Sequence, residues 1–462
     1  MSIVTRKIQA TMLSLAIASA LLLSACSSAP AAVEPTKAPE VAAEATAVPE
    51  PTAAPEAPTA EPTKAPEATA TTEPTKAPEA TATTEPTKAP EATATMAATV
   101  AVATKAATKV SAAAPTATEA AAVVADWAPR QLTATLSGSG ASFPNPLYQV
   151  WISVYKNVVP GVQLSYSSVG SGQGKKDFIA YLTDFGGTDS AISSGDVATQ
   201  APDAMHLPMV MGGVMPMVNI SGIKTSLKFT PETIAGIYLG AITKWNDPRI
   251  IKDNEGVALP DLTITPVYRS DSSGTTSIFT DYLTKVSEDW KSKVGSGSAV
   301  SFPAGIGASG NAGVAATVLN TNGAVGYVEV GYALAAGFPL PYVKNAAGNF
   351  VKPETANVSA AANGLNISSD PKKLAMSITN SATADAYPIA AFTYVLVRQT
   401  TYKDAIKAQA LSDYLYWGLT TGQGATVRLG YAPLPEPMRK ASMTALKTMV
   451  VDGKSVIDAP VK

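Results

Sequence analysis

The stretch Arg269-Ser-Asp-Ser-Ser-Gly-Thr-Thr-Ser277 follows a strand-like run, Thr263–Tyr268, and opens an amphipathic pattern over Ser277–Val286. A strand that turns through Ser and Gly into a helix is the unit from which α/β folds are built. The same alternation recurs in Val162–Ser167 followed by Lys175–Leu182. Together these runs predict an α/β architecture with largely parallel sheets. The stretch also has a chemical reading. A helix start leaves N–H groups without partners and carries a partial positive charge, so it suits a tetrahedral oxyanion. Arg269 adds a planar fork of donors, and Asp271 is near enough in sequence to pair with it and restrain that fork. Ser273, Gly274 and Thr275 contribute hydroxyls and N–H groups.

Two further segments repeat the pattern. In Gly138-Ser-Gly-Ala-Ser-Phe-Pro-Asn-Pro-Leu147, the glycines allow a tight turn and the prolines suit a helix opening. Leu147, Trp151, Val154 and Tyr155 then mark an apolar helix face, with Ser142 and Phe143 at its start. In Val169-Gly-Ser-Gly-Gln-Gly-Lys-Lys176, Ser171 is the expected donor, and Phe178, Ile179 and Leu182 are the expected buried side. This second segment is not a nucleotide loop: Val169 stands where the first Gly of that motif belongs, and Lys176 replaces its Ser/Thr.

A fourth segment, Thr183-Asp-Phe-Gly-Gly-Thr-Asp-Ser190, reads as a loop and brings two carboxylates. An acid among anion donors makes sense when the ligand carries a proton, as phosphate does near neutrality. Asp189, with Asp184 as the weaker candidate, would accept that proton's hydrogen bond. Sulfate has none to give and would leave a buried charge unpaired. The pair Asp189 and Arg269 therefore argues against molybdate, tungstate and sulfate.

The rest of the 462-residue chain narrows the possibilities. Residues 1–25 read as a secretory signal, with Arg6 and Lys7 before a short apolar run. They end in Leu23-Ser24-Ala25-Cys26, which resembles the bacterial lipobox and implies lipidation of Cys26. That cysteine is the only one, so neither an intrachain disulfide nor a thiolate metal cluster is expected. Residues 26–130 form an Ala/Pro/Thr/Glu/Lys-rich linker in which a twelve-residue unit starts at Glu61, Glu73 and, almost whole, Glu85. Having only alanines to bury, it is expected to be a disordered tether of roughly 55 Å. No later stretch approaches the length of a membrane span. A net charge of −2 offers no footprint for nucleic acid. The single histidine, His206, reads as a packed residue and leaves little for zinc or acid–base chemistry. Ser153-Val-Tyr-Lys156 matches S-x-x-K, but the partner motifs of that hydrolase chemistry are missing. No metal, cofactor or catalytic residue is expected.

The order and wording of these segments resemble the phosphate-binding proteins of bacterial phosphate-specific ABC transporters over essentially all of residues 136–450. Tyr238-Leu-Gly-Ala-Ile-Thr-Lys-Trp-Asn246, Gly323-Ala-Val-Gly-Tyr-Val-Glu329 and Tyr387-Pro-Ile389 extend the match. The resemblance implies a two-lobed periplasmic-binding-protein clamp of type II. Its first lobe would comprise residues 131–211 and 390–462 and its second residues 212–389, with crossings near Met211–Gly213 and Tyr387–Thr393. It implies phosphate ligands Ser142, Phe143, Ser171 and Asp189 from the first lobe, and Arg269, Ser273, Gly274 and Thr275 from the second. Ser142 stands where the family commonly has Thr, keeping the hydroxyl without the methyl. The implied role is phosphate capture by a monomer outside the cell membrane and delivery to permease and ATPase subunits, with no catalysis. The long tether departs from the family's usual short leader.

Overall fold

A computed structural model describes residues 127–461, all within one compact unit. The expected signal segment, Cys26 and the repeats lie outside the described residues. The backbone is organised by one eight-stranded sheet: β1 (Ala134–Gly140), β2 (Val162–Ser168), β3 (Phe185–Thr188), β4 (Ala204–Asn219), β5 (Thr265–Arg269), β6 (Ile306–Ala308), β7 (Ala324–Glu329) and β8 (Ala390–Arg398). Their spatial order is β2-β1-β3-β8-β4-β7-β5-β6. Parallel pairing joins β1 to β2 and β3 on one side, and β5 to β6 and β7 on the other. Between these two parallel triplets lie β4 and β8, antiparallel to each other and to their neighbours.

The sixteen residues of β4 explain how one sheet serves two halves. Fourteen of them, from Ala204 to Met217, are buried, a near-continuous apolar run suited to a strand covered on both faces. Ala204–Gly213 pairs with β8, whereas Val214–Asn219 pairs with β7. Met211 and Gly213 lie opposite Phe392 and Ala390, so the two crossing segments run side by side. A register shift between Thr393 and Tyr394 interrupts that pairing. Such a bulge re-aims side chains locally.

Helices follow the strands as the apolar periods require. In α1 (Asn145–Val158), Leu147, Tyr148, Trp151 and Tyr155 are buried, and Pro146 sits within the first turn. Val154 is only half-buried, at the edge of that stripe. The Trp151 indole donates to the Gly422 carbonyl at 2.7 Å, so its one polar atom is satisfied inside the core. The other site helices are α2 (Ser171–Ile179), α3 (Gly274–Val286) and α4 (Gly310–Asn320).

The structure departs from sequence expectation at three places. The helix expected to run to Leu182 ends at Ile179, and Leu182 is 71% exposed. Tyr181, in the left-handed region, turns the chain away before Leu182 can reach the core. Phe185–Thr188, expected as loop, is an edge-to-edge partner of both β1 and β8. Its two glycines hide the strand signal, and Gly186 is there because a Cβ would press on Leu396 and Phe178. The sheet is also mixed, because β4 and β8 must return between the triplets.

Candidate anion-binding site

Four helix N-termini converge at the carboxyl ends of the strands, each opened by a small polar residue. Ser142 and Phe143 lie in the turn between β1 and α1. Ser171 is the first residue of α2, and Gly274 and Thr275 begin α3 behind the cap residue Ser273. The fourth, α4, begins Gly310-Asn311 after Ser309. The α2 turn requires glycine: Gly170 has φ +91°, and a Cβ there would lie 2.4 Å from Asp271 Oδ2.

The two halves meet at backbone distance. Gly172 N–H donates to the Ser272 carbonyl at 2.9 Å. A Cβ on Gly274 would lie 2.5 Å from both Asp189 Oδ2 and Ser171 Oγ. Asp189, Ser171 and the start of α3 therefore share one spot, although they are up to 103 positions apart by residue number (274 − 171).

The donors there are uncommitted. Among the described residues, the backbone N–H groups of Ser142, Phe143, Ser171, Gly274 and Thr275 have no hydrogen-bond partner. Ser171, Gly274 and Thr275 are first-turn helix amides, which have no partner within the helix, and so they offer donors to an anion. Arg269, 5% exposed, is held by Asp271: Nε bonds Oδ1 at 2.7 Å and Nη2 bonds Oδ2 at 2.5 Å. Its Nη1 donates to Thr275 Oγ1 at 3.2 Å, which places that edge of the fork at the α3 N-terminus. Burial pushes the Asp271 carboxyl up, but the Arg269 hydrogen bonds and charge outweigh it and hold the group below its ordinary range.

Asp189, 6% exposed, is the exception in this set of donors. Its Oδ1 accepts from the Thr393 hydroxyl at 2.7 Å and its Oδ2 from Ser171 Oγ at 3.4 Å. Burial pushes its carboxyl from 3.8 up to about 7, against the lowering influence of Thr393, Arg269, Ser171 and Lys175. Lys175 Nζ donates to Ser190 Oγ and the Ala191 carbonyl, steadying the turn after Asp189.

The structure thus brings together Ser142, Phe143, Ser171, Asp189, Arg269, Ser273, Gly274 and Thr275, with Asp271 behind Arg269. Ser273 is one step removed, its hydroxyl accepting the Thr276 N–H as a helix cap. Asp184 is elsewhere, accepting from Ser137 N–H and pairing with Lys407 at 3.0 Å. His206 is a core residue whose Nε2 accepts from Ile192 N–H, and burial lowers its pKa to about 4. Among the described residues no cluster of His, Cys, Asp or Glu could hold a metal ion. Sequence reasoning missed Asn311, Thr393 and Tyr332, whose hydroxyl donates to the Ser142 carbonyl. Asn311 carried a signal, since Ser309-Gly310-Asn311 repeats the Ser/Gly helix opening. Thr393 is a lone hydroxyl within the apolar run of β8.

Comparison with known proteins agrees with this geometry. A family model described as a PBP superfamily domain matches residues 111–419. The phosphate-binding protein PstS of Xylella fastidiosa (strain 9a5c) is 42% identical over 306 residues, 66% of this chain and 83% of that protein. PstS of Pasteurella multocida is 38% identical, over 70% of this chain and 93% of its own length. Among solved structures, a high affinity periplasmic phosphate-binding protein (PfluDING) bound with phosphate is 25% identical with a TM-score of 0.54, covering 66% of this chain and 92% of that one. The phosphate-binding protein of Stenotrophomonas maltophilia shares the fold at a TM-score of 0.54 and 22% identity, over 67% and 93% of the two chains. With matches of this length and identity, the chain belongs to the PstS phosphate-binding protein family, within the PBP superfamily.

Proposed function

We propose that this chain captures inorganic phosphate outside the cell membrane and hands it to the permease and ATPase subunits of a phosphate ABC transporter, without catalysis. The observation that carries the reading is the buried carboxylate of Asp189 set among five uncommitted N–H groups and Arg269. Such a site offers an anion many donors and, in Asp189, an acceptor. A phosphate oxygen bearing a proton fits there, whereas sulfate would face the carboxylate with nothing to donate. The names of the PstS relatives point the same way.

In this reading Ser142, Phe143, Ser171 and Asp189 belong to a first lobe, residues 131–211 and 390–462, and Arg269, Ser273, Gly274 and Thr275 to a second, residues 212–389. The lobes open and close about β4 and β8 at Gly213/Val214, where β4 changes partner. Closure removes water and strengthens each charge-assisted hydrogen bond. The protein acts as a monomer tethered through lipidated Cys26, the repeats spanning anchor and folded part. No helix of the described residues is long and apolar enough to cross a membrane. Calorimetry on the folded region should show tight phosphate binding that a large excess of sulfate leaves intact. Equal affinity for the two anions would refute the assignment.

A further inference from the structure

The Asn311 side chain is fully buried and touches two of the hydroxyls assigned to phosphate, one from each half of the molecule. Its Oδ1 accepts from Glu329 N–H at 2.9 Å. A backbone N–H can only donate, so this contact fixes which end of the amide is oxygen and turns Nδ2 toward the site. Nδ2 then donates to Ser142 Oγ at 3.0 Å and to Thr275 Oγ1 at 2.9 Å.

Each hydroxyl receives a second donor as well. Ser142 Oγ accepts from Asn311 N–H at 3.1 Å, and Thr275 Oγ1 accepts from Arg269 Nη1 at 3.2 Å. A hydroxyl oxygen has two lone pairs and one proton. With both lone pairs engaged, the proton is the only group left to point at a ligand. Among the described residues neither hydroxyl donates to any protein acceptor, although both are buried. Two hydroxyls that could rotate freely are thereby turned into fixed donors.

We infer that Asn311 is a positioning residue that sets the hydrogen-bond polarity of the site: by donating to Ser142 and Thr275 it forces both hydroxyls to donate to the anion, leaving Asp189 as the sole acceptor. The inference rests on the phosphate reading above and adds what that reading lacks, the reason a hydroxyl-rich site does not accept a second ligand proton. An Asp at position 311 would keep the shape and the bond to Glu329 N–H but accept from both hydroxyls, reversing their sense. A Leu would lose the side chain's polar contacts, leaving each hydroxyl a single donor and one lone pair free, so that it can turn.

The two substitutions separate this role from mere support. If Asn311 only braces the fold, Leu is the more harmful change; if it sets polarity, Asp is. Phosphate titration of the wild type, Asn311→Leu and Asn311→Asp is expected to show a loss of about tenfold for Leu and roughly a hundredfold or more for Asp. The unliganded melting temperature of each variant confirms that it folds and reports any bracing role. The same pair made in a Ser142→Ala/Thr275→Val background, with weak binding read by phosphorus NMR, should bind alike. An Asp variant no worse than Leu overturns the inference. So does an Asp deficit that persists without the hydroxyls, which would mark plain charge repulsion. A wild type that fails to bind phosphate would instead overturn the phosphate reading itself.

Discussion

Asp189 and Arg269 are both buried charges aimed at one spot, yet they are prepared in opposite ways. Arg269 is locked: Asp271 takes Nε and Nη2, and Gly310 N–H donates to Asp271 in turn, so the guanidinium keeps one orientation. Asp189 has no cation bonded to it and only two hydroxyl donors, and burial lifts it to about 7. The second half of the molecule therefore presents a fixed attraction. The first presents a carboxyl whose charged form is disfavoured by burial. In the phosphate reading proposed above, attraction and selection are separate tasks, carried by differently built charges.

The largest break in this comparison should come from Arg269→Ala. It leaves the half-buried Asp271 without its partner and removes the guanidinium of the site, a loss of about 3–5 kcal/mol in phosphate affinity by calorimetry. A loss below tenfold would show that the helix N-termini dominate.

Next comes the pH dependence of the unliganded fold. Asp189 has a raised folded pKa, so its stabilising contribution is complete below about 4 and is lost as pH rises to about 7. His206 has a lowered one, so its contribution is complete above about 6.5 and is lost as pH falls toward about 4. The two slopes oppose each other in the same window, while buried Glu329, also raised, adds to the Asp189 side. Asp189→Asn should therefore gain stability over the wild type progressively from pH 4 to pH 7, by up to about 4 kcal/mol. Chemical denaturation across that range measures it, and parallel curves would refute the buried-carboxylate argument.

Gly274→Ala should follow, at about 1–3 kcal/mol in affinity, because the new methyl must displace Asp189 and Ser171 together. The smallest effect on phosphate itself is expected from Asp189→Asn, since an amide oxygen still accepts. Its mark is the phosphate-to-sulfate ratio in competition calorimetry, which should fall by about tenfold or more. An unchanged ratio would place selection elsewhere.

How far the sequence revealed this site follows from the range of the interactions. Helix starts are local, so Ser142, Ser171 and Ser273–Thr275 could be read from Ser/Gly openings and the apolar period behind them. The Arg269–Asp271 pair spans two positions and was legible for the same reason. Asn311 and Thr393 act on residues 169 and 204 positions away, a relation that only the sheet order creates. Thr393 sits beside the bulge in β8, and no spacing rule predicts which hydroxyl a bulge will turn toward Asp189. Leu182 misled because a helical stripe continues in sequence past the point where Tyr181 breaks it in space.

At Gly172 and Gly274 a bare backbone faces the other half: Gly172 N–H bonds the Ser272 carbonyl, and Gly274 lies against the side chains of Asp189 and Ser171. Such a surface depends on the absence of a Cβ at two positions. Asp189 and Ser171 can sit where they do only while position 274 carries no side chain, so one missing methyl sets how near the two halves come. It also means that a single methyl group acts there as a doorstop, giving a protein that folds yet stands permanently ajar.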